Sequence, residues 1–127
     1  MEKYEIDLVD FGDDHFIASL IGMLTGHELA EIIAARGGST NARWKAKEIR
    51  ETIANLGFNC SRFKKFDKNT EYPCIMRSHD RTKKESGWYA AVYYDGIVYL
   101  PFAGLGWNHY NHDYPHLRVT TMLQVWI

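Results

Sequence analysis

The order of local patterns along this chain predicts an α+β fold, with an N-terminal strand and three helices packed on a mainly antiparallel C-terminal sheet. Three observations carry that expectation. Residues 4–11, "YEIDLVDF", alternate apolar and acidic side chains with the period of a strand. Residues 15–57 then repeat apolar side chains every three or four positions, the period of a helix. After Gly57 the period returns to two, with a hairpin dipeptide between two short runs. Helices segregated from hairpin-linked strands indicate α+β rather than a doubly wound parallel sheet.

The elements follow in order. Tyr4, Ile6 and Leu8 would form the buried face of the first strand, and "FGDD" breaks it. Asp13 or Asp14 caps a helix running from about His15 to Thr25, with Phe16, Leu20 and Met23 on one face and Ile17, Ile21 and Leu24 beside them. A stripe that wide marks a central helix packed on two sides. Thr25 or Gly26 starts a second helix, which Gly37 and Gly38 end. Ser39, Thr40 or Asn41 caps a third. Its inner face holds Ala42, Trp44, Ala46, Ile49, Ile53 and Leu56, and Gly57 closes it. "FNCSRF", "PCIMRS", "WYAAVYY" and "IVYLPF" are strand candidates. Asp95-Gly96 forms the tight turn between the last two, where positive φ is needed. Residues 79–87 are expected as a charged loop, residues 103–118 as a long aromatic and histidine-rich loop, and "TTMLQVWI" as a final strand.

Composition narrows the function. The 127 residues suit a single domain over 1–127 that can bury a core. With 15 basic and 16 acidic residues the net charge is −1, which speaks against nucleic acid as a partner through bulk electrostatics. The basic stretch "SRFKKFDK" is diluted by Asp67 and Glu71 and reads as a solvated strand edge. No apolar run approaches the ~20 residues of a membrane span, and no basic-plus-apolar leader opens the chain, so a cytoplasmic location without membrane contact is expected. Two cysteines outside any CxxC pair read as free thiols in a reducing compartment.

An acidic turn, a buried helix, "MLTG", then "IRETIANLGF", "YPCIM", "VYYDG" and "IVYLP" is similar, in order and spacing, to papain-like cysteine peptidases of the C39-like branch, and most to the small C39-like proteins of phages and bacteria. The resemblance covers about residues 8–102. It implies a papain-like fold and places the family's nucleophilic Cys at His15, its His among Gly87, Trp88 and Tyr89, and its orienting Asp at Leu100. None of the three catalytic residue types stands at its place, so the resemblance implies a scaffold whose Cys-His-Asp chemistry is gone.

Other chemistry was open to the chain. A relocated thiol nucleophile, Cys74 or Cys60, needs a helix N-terminus or a cationic partner to ionise, and neither cysteine begins a predicted helix. His79 lies about 16 Å from Cys74 along an extended strand. His15, beside Asp13 and Asp14, can ligate a metal, although acidic residues at a helix start also suit capping. His109, His112 and His116, with Asp113 among them, would share one face if helical and would suit zinc, but Pro115 and two Asn residues argue against a regular helix there. No cofactor is expected.

The expected function is therefore that of a pseudoenzyme from a phage or mobile element that binds and modulates a bacterial host protein, or self-associates. Its contact region would be the cleft around His15 and Trp88 together with Trp107, His109, Tyr110, His112, Tyr114 and His116. Trp and Tyr supply large contact area at low entropic cost, or else cover a core. A hydrolase using the relocated thiol or the histidine loop, and a virion or assembly component, are the alternatives.

Overall fold

The computed structural model describes residues 4–83 and 88–127. Among them are a 3-10 turn (Asp13–His15), α1 (Phe16–Thr25), α2 (Leu29–Ala35), α3 (Ala46–Asn55), β1 (Asn59–Cys60), β2 (Lys64–Lys65), β3 (Cys74–Asp80), β4 (Trp88–Tyr94), β5 (Ile97–Leu100), β6 (Ala103–Gly106), α4 (Trp107–Asp113) and β7 (Leu117–Trp126). Every strand pairing is antiparallel, in the order β1-β7-β3-β4-β5-β6, with β2 beside β1 on the same edge of β7. The α+β expectation holds in that form.

The sheet carries a core on each face, and strand alternation sorts the residues between them. Ile75, Val92, Leu123 and Val125 meet α1, α2 and α3 through Leu20, Ile21, Ile32 and Ile53, most of them fully buried. Cys74, Met76, Ala91, Tyr93, Val98 and Met122 face the other way and are covered by Tyr110 of α4. The chain reverses between β4 and β5 at Asp95 (φ 49°) and Gly96 (φ 80°), the two positive φ angles of the expected tight hairpin.

Three expectations about the helical half are corrected. The first strand does not form: Ile6, Val9 and Phe11 pack on the helix-side core while the backbone pairs with no strand. Two of its donors, the N–H groups of Tyr4 and Phe11, find side chains instead. Phe11 N–H donates to Ser19 Oγ at 2.9 Å, and Ser19 Oγ donates on to the His15 carbonyl at 2.9 Å. The segment lies so close to α1 that a Cβ on Gly22 would stand 2.9 Å from the Phe11 ring. Gly26 ends α1 rather than starting α2. At φ 75° it returns its N–H to the Gly22 carbonyl at 2.8 Å, and α2 begins after Glu28, whose N–H is taken by the Glu31 carboxylate.

The third helix starts at Ala46, not near Ser39, because Arg36 holds residues 37–45 in another conformation. Its guanidinium donates to the carbonyls of Asn41 and Arg43 and to the Glu48 carboxylate, and lies 3.8 Å over the Trp44 ring. The sheet half departs in two regions. Residues 103–118 are not a loop but β6, α4 and the start of β7. Of the charged loop expected over 79–87, His79 and Asp80 belong to β3, and residues 84–87 lie outside the described residues.

Candidate functional site

A cleft of about 480 Å³ lies where α1 and α3 meet the helix-side face of β3 and β4. Pockets of this size hold small ligands or one or two side chains of a partner. Phe16, Ile17, Trp44, Ile49 and Phe63 form its apolar walls. Trp88 (56% exposed) stands at its lip, one of only six large apolar residues so exposed among the described residues. Tyr89, the next residue of β4, pairs with Ser78 and so turns its side chain to the α4-side face. The start of α1 is thus brought to Trp88, as the expected cleft requires. His15 itself, half-buried just before α1, caps nothing with its side chain, and Phe16 and Ile17 form that wall instead.

Leu100 does not join them. Val92 pairs with Tyr99, so Tyr99 shares the helix-side face, whereas Val98 and Leu100 belong to the α4-side core. The three positions that the resemblance gives to the family's catalytic residues are therefore split between the two sides of the sheet. Gly87, one of the positions considered for the family histidine, lies outside the described residues.

The second half of the expected contact region is also on the α4 side. Tyr110 is buried, not a surface contact, and its hydroxyl shares a 3.2 Å hydrogen bond with Ser78 Oγ. Trp107 is half-buried and stacks on Phe66 with ring centres 5.2 Å apart. Tyr114 packs on Tyr110 at the same separation. These aromatics cover the sheet. His109, His112, Asp113 and His116 are exposed, and His116 lies beyond the end of α4. Among the described residues, no three His, Cys, Asp or Glu side chains are grouped to hold a metal ion.

Neither thiol is activated. Cys74 is fully buried, and burial pushes its pKa up to about 12. Burial also raises the half-buried Cys60. His79 lies on the opposite face of β3 from Cys74, because five positions along a strand reverse the side. In native protein at neutral pH we expect Cys74 to resist iodoacetamide and Cys60 to react more slowly than a free cysteine. Mass spectrometry checks this, and rapid labelling of either would restore the thiol-hydrolase alternative.

The residue that sequence analysis passed over is Arg77. It follows Ile75 on the helix-side face of β3 and lines the cleft. Its Nε donates to Thr121 Oγ1 at 3.1 Å, and its guanidinium lies 3.9 Å over Phe63 and 5.7 Å from the Trp88 ring centre. Partial burial lowers its pKa, the sign of a cation stripped of some water. Among the described residues no carboxylate lies within 4.0 Å of it. The available signal was a charged residue on the inward register of an otherwise apolar strand.

A larger groove, about 760 Å³, runs between residues 4–11 and the C-terminal end of α1. It has less to offer chemically: its one imidazole, His27, already pairs with Glu31 at 3.1 Å. No single helix among the described residues is long and apolar enough to cross a membrane. No family model matches the chain, and no curated protein matches it.

Proposed function

We propose that this chain is a non-catalytic binding protein, a papain-like scaffold without its Cys-His-Asp residues, and that it engages a bacterial protein through the cleft between α1, α3 and β4. The observation that carries this is Trp88, left exposed at the lip of an apolar cleft. Exposed aromatics of this kind are costly to leave in water and supply most of the energy of many protein contacts. Two protonated thiols and no grouped metal ligands among the described residues argue on the same side. The bacterial partner, and an origin in a phage or mobile element, rest on the resemblance to C39-like proteins of phages and bacteria.

The test is selection of peptides from a random display library on the immobilised protein, with a counter-screen on Trp88→Glu. We expect enriched sequences whose binding falls at least tenfold on the variant, which is about 1.4 kcal/mol. Failure to enrich any sequence, or enrichment indifferent to the substitution, would count against the cleft as the contact site.

A further inference from the structure

We propose that the cleft is built for an internal acidic segment of its partner, with an aromatic or aliphatic side chain seated between Trp44 and Trp88 and an adjacent Asp or Glu carboxylate paired with Arg77. This rests on the cleft being the contact site and adds the chemistry of its occupant.

Arg77 is the reason. A guanidinium in the wall of an apolar cleft has given up water and needs an anion to compensate. Its Nε is spent on Thr121, and one face is spent on Phe63. Its two terminal nitrogens donate to no protein atom among the described residues, and a planar guanidinium with both of these free presents the fork that a carboxylate accepts with two parallel bonds. The flat stack on Phe63 and the contact with Thr121 fix the fork in advance, so little side-chain entropy is lost on binding.

The surroundings decide between an internal acidic segment and a lone chain end. Arg43 and Lys45 flank the wall residue Trp44 in sequence, and Arg62 flanks Phe63. All three are exposed. Asp13 and Asp14 mark the α1 end, and Glu48 is held by Arg36. Cations thus adjoin two of the wall residues, which suits several carboxylates spread along a segment rather than one at a terminus. The distribution over the chain is consistent. Residues 1–31 hold eight acidic residues and one basic, and residues 32–127 eight acidic and fourteen basic, so the net charge of −1 conceals a basic majority around the cleft.

The experiment uses three synthetic peptides: acetyl-Asp-Phe-Leu-Asp-amide, its neutral counterpart with Asn for both Asp, and acetyl-Asn-Phe-Leu with a free C-terminal carboxylate. Each is titrated into the protein while the indole N–H signals of Trp44 and Trp88 are followed by NMR. We expect the acidic peptide to move both signals and to bind about tenfold more tightly than the neutral one, the scale of one charge-assisted pair. Arg77→Gln, with an unchanged melting curve, should remove that preference, and Arg77→Lys should keep part of it. Equal affinity for the acidic and neutral peptides overturns the charge inference and leaves the cleft as a contact site. A preference for the free C-terminus overturns the internal segment. If no peptide moves either indole, the inference fails outright, while the display selection judges the cleft independently.

Discussion

Replacing Arg36 by Ala is expected to lower the unfolding free energy by about 2–4 kcal/mol, below the full loss for a buried ion pair because Glu48 is partly solvated. The side chain is only 3% exposed and makes four different contacts. It donates to two loop carbonyls, pairs with Glu48 at 3.1 Å and covers Trp44. Truncation leaves both carbonyls without their donor and opens space under an indole that walls the cleft. Glu48 would still accept from the Lys45 N–H, the contact that does most to hold its pKa below the usual carboxylate range, so the start of α3 should survive. The loop from Gly37 to Lys45 would not. The prediction is a lower urea midpoint and a melting temperature about 10 °C lower, at roughly 3–6 °C per kcal/mol for a chain of this size. Glu48→Gln, which keeps the shape and removes the charge, should cost much less. If Arg36→Ala costs no more than Glu48→Gln, the guanidinium is a surface ornament and the loop is held by something else.

That loop also shows what local sequence could not reveal. Ser39, Thr40 and Asn41 are good cap residues, and Ala42 and Trp44 continue the apolar spacing backward from Ile49. Local chemistry therefore favoured a longer helix. An arginine from the preceding helix, paired with Glu48 twelve positions away, decided otherwise. The central helix and the Asp95-Gly96 turn were legible because they depend on neighbours in sequence. The N-terminal segment alternates well enough for a strand, but a strand needs a free edge beside it, and this segment ends against α1, where the Phe11 N–H meets Ser19. Half of the candidate site was legible only through the resemblance, which implied that the start of α1 lies beside Trp88. Spacing could not say that Leu100 has the parity of Val98 and so faces away, nor that Arg77 points into the cleft, because both depend on register across strands.

The segment from 103 to 118 is the clearest case, and Tyr110 tests why. Trp, Asn, His, Tyr, Asn, His and Asp are all middling or poor helix formers, so intrinsic preference alone does not make α4. Tertiary burial does. Tyr110 is 3% exposed and sits between Trp107 and Tyr114 on the α4-side core. Tyr110→Ala is expected to cost about 3–5 kcal/mol, as for other large aromatics removed from a core, and to abolish α4 with it. Tyr110→Phe keeps the ring and loses only the bond to Ser78, whose side chain is 1% exposed, so about 1–2 kcal/mol is expected for the orphaned hydroxyl. Adding Ser78→Ala should recover most of that, since removing both partners leaves nothing buried and unpaired; the difference is the coupling a double-mutant cycle reads. The alkaline limb gives an independent check. Burial raises the Tyr110 hydroxyl above its ordinary value of 10.0, so the folded state keeps a proton that the unfolded state sheds, and its contribution is complete below about pH 10 and lost above it. Tyr110→Phe should therefore lose stability less steeply above that pH than the wild type. Were Tyr110 instead a contact residue held out for a partner, Tyr110→Ala would leave the melting curve unchanged and weaken only binding.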